Sequence, residues 1–442
     1  MRVLEPWTIV FAVVSAYPMD LPAAEQPAVP AVNGKPRNVI LMIGDGMGLV
    51  QLSAAKIQKG QLAVERMKHC GFTFTQSLRN FVTDSSAAAT ALATGYLTAN
   101  GQVCIATDGA KLKTVLEYAK SEGKWAGIVV TCGVTHATPA CMFAHVLSRA
   151  SEDEIAVQMA QSNIEVIFGG GWDKFLPARR LHVGAPSSPG DQVLVSTSSM
   201  RRPGDGMMLA ASPDPLHLGS DGKPFGTRRD GRDLLAEMQK QGYRVIRTPA
   251  ELSMVSEGPP TKVLGLFHSG PMPKATEGRS PALSAMTLTA LRILSQNPRG
   301  FFMMIEGSQI DWGGHANDFA YTVAETADFD TAVETVLDFV EHEGIAEETL
   351  VVVTADHETG GLSLTPSATL PMGIEPKWST SGHTGCPVPI FSSGPDHDLF
   401  SGILSHEAVG RNLIQAVSSK PVQFHYAPDK SLPVTSGVAG SR

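Results

Sequence analysis

Short apolar runs alternate with amphipathic stretches along most of this chain. After Asn38, the run Val39-Ile40-Leu41-Met42-Ile43 is apolar at every position, the mark of a strand buried on both faces in a parallel sheet. Val50 to Gln58 then follows with helical spacing. The same patterns predict helices over Leu112 to Glu122, Glu152 to Gln161, Arg232 to Gln241, Leu283 to Leu294 and Ala316 to His342. They predict strands over Trp125 to Cys132, Val166 to Phe168, Gly300 to Ile305, Leu350 to Thr354 and, as the last clear strand, Val388 to Phe391. Arg79 to Thr83 reads as a short strand leading into Ser85 to Leu92, a run of small residues suited only to a tightly packed helix. Repeated βα units imply an α/β fold with a large, mostly parallel sheet flanked by helices on both faces.

Composition narrows the setting. The 442 residues are 43% hydrophobic and 18% charged, as in an ordinary globular protein with ample core. A formal net charge of -8 argues against a nucleic-acid partner. The arginine pairs at Arg179-Arg180, Arg201-Arg202 and Arg228-Arg229 are scattered and read as solvated loop charge. Arg2, the apolar run Trp7 to Ala16 and the small residues after it resemble a signal peptide over residues 1–24, which implies an exported, periplasmic or secreted protein. No other run approaches the roughly 18 apolar residues of a membrane span, so no stable span is expected. A Pro-rich linker over 25–36 leads into a single domain over 37–420. A loop-rich insertion occupies about 173–230, and 421–442 form a tail without readable chemistry. The five cysteines are too few for a disulfide scaffold and leave room for one bridge.

The candidate chemistry gathers at predicted strand ends, where open α/β sheets place their sites. Asp45 sits in Gly44-Asp45-Gly46-Met47-Gly48 after the first strand; a carboxylate there suits a cation and would repel a pyrophosphate. Ser85 opens the small-residue helix, where unpaired backbone N–H groups stabilise an anion, although Thr83, Asp84 or Ser85 acting only as a helix cap explains the same residues. Glu306, Asp311 and His315 follow one strand, Asp356 and His357 another, and His383 lies in Ser381-Gly382-His383-Thr384-Gly385. Carboxylates and imidazoles separated by glycines are what a mixed oxygen and nitrogen metal centre requires. Asp311 and His315 share one face if their turn is helical; Gly313-Gly314 allow a loop instead.

These motifs, in this order, resemble the alkaline phosphatases, and the similarity runs from about Arg37 to Leu413. The resemblance implies two zinc ions and a third metal, usually magnesium. It assigns Asp311, His315 and His383 to the first zinc, and Asp45, Asp356 and His357 to the second, completed by Ser85. Asp45, Thr138 and Glu306 are the implied third-metal ligands, and Arg149 the phosphate-binding arginine, with His136 and Trp312 beside it. A homodimer acting on small phosphate monoesters is also implied. His136 stands where some members carry an aspartate, so zinc or cobalt is favoured over magnesium at the third site. Trp312 stands where some carry a lysine, which implies easier release of phosphate. Chemistry is coherent without the family: two cations neutralise charge on the attacking and leaving oxygens while Ser85 accepts the phosphoryl group. Ser86 is a rival nucleophile, one residue deeper in the helix. Related two-metal phosphodiesterases or sulfatases, and a non-enzymatic phosphate- or metal-binding protein, are the alternatives. A serine hydrolase of the nucleophile-elbow type is disfavoured because no Gly-x-Ser-x-Gly occurs.

Overall fold

A computed structural model describes residues 35–178, 226–257, 261–369 and 373–424. The expected leader, nearly all of the linker, most of the insertion and the tail beyond 424 lie outside the described residues. In chain order the strands are β1 (Asn38–Gly44), β2 (His69–Phe74), β3 (Trp125–Gly133), β4 (Val166–Gly170), β5 (Arg244–Ile246), β6 (Val263–Leu266), β7 (Phe301–Gly307), β8 (Thr349–Thr354), β9 (Glu358–Thr359), β10 (Leu362–Pro366), β11 (Ile374–Trp378), β12 (His383–Thr384), β13 (Val388–Ser393) and β14 (Gly402–Ser405). The helices are α1 (Leu49–Lys59), α2 (Ser85–Thr94), α3 (Val115–Ser121), α4 (Ala137–Ala140), α5 (Glu152–Gln161), α6 (Leu234–Lys240), α7 (Pro249–Glu257), α8 (Leu283–Leu294), α9 (Ile310–His315), α10 (Phe319–His342) and α11 (His406–Val417).

Ten strands form one sheet in the order β14-β2-β13-β8-β1-β7-β3-β4-β6-β5. Only β13, antiparallel to β2 and β8, departs from the parallel pairing of the rest. The alternation of side chains explains the all-apolar strands. Val39, Leu41 and Ile43 face one core with α2, α3, α5 and α11, while Ile40 and Met42 face a second core with α1, α8 and α10. Because β1, β3, β7 and β8 run parallel, their carboxyl ends open on one side of the sheet, and the site lies there.

The small-residue run forms a helix buried along its whole length. Its need for small side chains is explained by α11, whose Gly410 lies so close that a Cβ there would come within 2.2 Å of the Ala91 carbonyl oxygen.

Several expectations are corrected. Residues 79–83 form no strand: Phe81 and Val82 are exposed, and the strand in this region is β2, set earlier in the chain. Val388 to Phe391 does not end the sheet, since β14 follows and α11 after it. The helix predicted from Ala316 begins at Phe319, because Asn317 has a φ of 50° and Asp318 caps the helix by accepting from the Tyr321 N–H. Arg228 is not solvated loop charge. Its side chain is 1% exposed, pairs with Asp230 and donates to the backbone carbonyls of Asp153 and Lys174. All five cysteines are free. No helix among the described residues is long and apolar enough to cross a membrane.

Candidate metal centre

Each chemical side chain is delivered by a strand end or by the element directly after it. Asp45 follows β1, Glu306 stands near the end of β7, Asp356 and His357 follow β8, and Thr138 lies in α4 beyond β3. Asp311 and His315 lie one helical turn apart on α9, which settles the choice between helix and loop. His383 is brought in by the two-stranded ribbon of β9 and β12, which pairs it with Thr359. Its ring stacks on that of His357 with centroids 3.5 Å apart.

Two groups of donor atoms converge. In the first, His315 Nε2 lies 3.3 Å from Asp311 Oδ2, His383 Nε2 lies 3.5 Å from Asp311 Oδ1, and the two Nε2 atoms are 3.2 Å apart. Zinc bonds of about 2.0–2.1 Å in a tetrahedron put neighbouring ligand atoms about 3.3 Å apart, so these separations are those of ligands sharing one ion. The ring tautomers agree. His315 Nδ1 donates to the Ser381 carbonyl at 2.6 Å and His383 Nδ1 to the Thr83 carbonyl at 2.9 Å, which leaves two lone pairs facing each other. Such an arrangement is repulsive unless a metal ion or a shared proton stands between them.

In the second group, Ser85 Oγ, Asp356 Oδ2 and Asp45 Oδ1 lie 3.2, 3.1 and 3.7 Å from His357 Nε2. The close approach of Asp356 Oδ2 lacks hydrogen-bond geometry, and that atom is one of the buried oxygens without a hydrogen-bond partner among the described residues. Both oxygens of Asp45, Thr138 Oγ1 and Glu306 Oε1 are orphaned in the same way. So many unpaired buried oxygens on neighbouring elements are the signature of a cation-binding cradle. Ser86 Oγ instead donates to Asp84 Oδ2 at 2.8 Å and is committed there.

The electrostatics point the same way. Burial, then repulsion from Asp356, Asp311 and Glu306, pushes the Asp45 carboxyl well above its usual range. Burial likewise lifts Glu306 to about 7, and burial with Asp311 lifts Asp356 to about 6. Burial also opposes ionisation of Asp311, yet the adjacent His315 and His383 rings hold it well below the usual range. A divalent ion would reverse the repulsion in the carboxylate cluster.

Arg149 stands at the rim, with NH1 3.2 Å from Asp84 Oδ2 and NH2 donating to His136 Nε2 at 3.3 Å. His136 is also packed edge-on by Trp312, and burial followed by the nearby Arg149 charge lowers its pKa to about 3. All twelve residues singled out from the sequence therefore meet in one region. Sequence reasoning missed three that hold them. Thr359 Oγ1 donates to Asp311 Oδ1 at 2.5 Å and must then accept from His357 Nδ1 at 3.2 Å, so one hydroxyl orients a ligand of each group. The available signal was its position two residues after His357, on the same face of an extended segment. Asp84 caps α2 through Ala87 N–H and also anchors Arg149, so capping and a second role are compatible at this junction. Cys132 Sγ donates to Glu306 Oε2 at 3.4 Å, from the neighbouring strand.

The alkaline phosphatase profile matches residues 36–376. The chain belongs to the alkaline phosphatase family. It is a metal-dependent phosphomonoesterase. Alkaline phosphatase 3 of Bacillus subtilis (strain 168) is 28% identical over 86% of this chain and 89% of its own length. The alkaline phosphatase of Escherichia coli (strain K12) is 30% identical over 77% of this chain and 74% of its own. Among solved structures, the alkaline phosphatase from the Antarctic bacterium TAB5 is 32% identical with a TM-score of 0.70, covering 87% of this chain and 98% of that one. A histidine-to-glutamate mutant of that enzyme, 31% identical to this chain with a TM-score of 0.69 and the same coverage, has Mg bound in its M3 site.

Proposed function

We propose that this alkaline phosphatase works with two zinc ions and a third ion, and that Ser85 is the group that takes up the phosphoryl. The convergence of Ser85 Oγ, Asp356 and Asp45 on His357 Nε2, beside the Asp311, His315 and His383 trio, carries this reading. Mixed imidazole and carboxylate sets suit zinc. Asp45, Thr138 and Glu306 offer only oxygens, the donors of a magnesium site, while the neighbouring His136 imidazole favours zinc or cobalt. Bound cations supply charge neutralisation for both the attacking and leaving oxygens and lower the pKa of an attached oxygen.

The chain's own residues account for the rest. Ser85 sits at the first turn of α2, where the helix dipole favours negative charge, and its Oγ is aimed into the cluster by a fully buried helix. Attack on phosphorus forms a Ser85 phosphoester and breaks the bond to the alcohol; water then cleaves the phosphoserine, returning Ser85 and releasing phosphate. Arg149, tethered by Asp84, presents a planar fork for two non-bridging oxygens. His136 and Trp312 line that side of the phosphate site. The inner ligands are buried while His315 is exposed, so substrate enters past His315, His383 and Arg149. A secreted or periplasmic homodimer completes the reading, on the leader-like N-terminal run and the family resemblance.

Acid quenching during turnover of a radiolabelled phosphate ester tests the assignment. Ser85→Ala should lose all protein-bound label and keep its metal content, whereas Ser86→Ala should still label. Label retained in Ser85→Ala would refute the role of Ser85.

A further inference from the structure

We propose that His69, His397 and Asp398 form a separate surface site for one divalent transition ion of the zinc class. His69 opens β2, and the other two residues lie in the short 3-10 turn His397–Phe400 that joins β13 to β14. Asp398 Oδ1 is the shared centre: His397 Nε2 lies 3.2 Å from it and His69 Nδ1 lies 3.5 Å from it. Both separations match the edge of about 3.3 Å between ligands around a tetrahedral zinc ion, and they repeat the 3.3 and 3.5 Å found between Asp311 and its two histidines. The donor atoms of all three residues fall within 4.8 Å of one another.

The tautomer of His397 is already set for a ligand. Its Nδ1–H donates to the Gly394 carbonyl at 2.5 Å, the outer contact that metal-binding histidines habitually make, and this leaves the Nε2 lone pair directed at the Asp398 side. The two rings lie against each other with centroids 3.6 Å apart, holding their donor atoms on one side. Two imidazoles and one carboxylate, partly open to water for a fourth ligand, select zinc, nickel or copper over magnesium or calcium.

This site belongs to the opposite end of the sheet from the phosphatase centre. His69 is in register with Ser392, and Ser393 with Val351, in the first half of β8, whereas Asp356 follows the end of that strand. An ion there would touch no reacting group. It would tie the turn between β13 and β14 to β2, fastening the margin of the sheet where β14 is the outermost strand.

Elemental analysis of the full holoenzyme, equilibrated with buffered zinc, tests this directly. The wild type should hold one more zinc per chain than His69→Ala or His397→Ala, with p-nitrophenyl phosphate hydrolysis the same in all three. Added zinc should raise the melting temperature of the wild type more than that of either variant, whereas added magnesium should act on all three alike. Asp398→Asn, an exposed and nearly isosteric change, covers the case in which a histidine variant fails to fold. It should weaken the additional zinc by at least the roughly 10–100-fold that loss of even an outer contact produces. Equal zinc content in the wild type and the folded variants, or unchanged affinity in Asp398→Asn, would overturn the proposal and leave the cluster as a surface ion pair.

Discussion

Replacing Thr359 by valine removes one hydroxyl and changes almost nothing else in volume. The position is fully buried and extended, so a β-branched side chain still fits β9 and the pairing with His383 is kept. Two hydrogen bonds vanish: the one donated to the Asp311 carboxylate and the one accepted from His357 Nδ1. A bond to a charged group contributes about 1.5–3 kcal/mol and one between neutral groups about 0.5–1.5 kcal/mol. Losing an outer contact to a metal ligand weakens metal binding by roughly 10–100-fold, which is about 1.4–2.7 kcal/mol. The two ranges overlap between about 2 and 2.7 kcal/mol, so zinc affinity should fall roughly 30–100-fold. Competition with a chromophoric chelator under buffered zinc measures this, and melting of the metal-free proteins shows whether the fold itself has weakened. Thr359→Ser, which restores the hydroxyl, should recover most of the affinity. Valine and threonine proteins with the same zinc affinity would refute the idea that this hydroxyl links the two ligand groups.

Other consequences can be checked separately. Gly46 has a φ of 76°, and a Cβ there would meet the Asp311 Cα at 2.6 Å and Thr359 Oγ1 at 2.9 Å; Gly46→Ala should therefore lower kcat by at least about tenfold and reduce metal content, measured on the purified protein. At the third site, calorimetric titration of metal-depleted enzyme should show weak Mg²⁺ binding that His136→Asp tightens; tight stoichiometric Mg²⁺ uptake by the wild type would contradict the influence assigned to His136. His406 is fully buried, neither ring nitrogen makes a well-formed hydrogen bond, and burial, only partly opposed by the Ala355 backbone, lowers its pKa to about 3. Because the unfolded chain binds this proton more readily, its contribution to stability is complete above about pH 6.5 and falls as pH drops toward about 3, losing on the order of 3 kcal/mol by about pH 4.5. Denaturant unfolding of His406→Met at neutral and acid pH should show a loss on acidification smaller by about that amount; equal losses in both proteins would contradict it.

Local pattern was enough for much of this architecture because apolar period and strand-end position are properties of neighbouring residues. Strands β1, β3, β7 and β8 could be read from their unbroken apolar runs, and α8 to the residue, since a strand or helix buried in the sheet core announces itself in its own composition. Strands β2, β5 and β14 and the polar ribbon of β9 and β12 could not be read, because what stabilises them is a partner distant in the chain. The site divides in the same way. Asp45, Glu306, Asp311, His315, Asp356 and His357 were visible as residue types at or just after strand ends, where parallel topology obliges ligands to collect, while Ser85 was visible as the first residue of a small-residue helix and His383 through its glycine-flanked motif. Which lone pair faces which oxygen was decided only in three dimensions: Ser381 and Thr83 set the ring tautomers through backbone carbonyls 66 and 300 residues away from their partners. Arg228 shows the limit most plainly, for nothing beside it in the chain distinguishes a buried guanidinium held by the carbonyls of Asp153 and Lys174 from a solvated one. Side-chain chemistry is written residue by residue, but burial and pairing are relations among distant segments, and they exist only once the chain has folded.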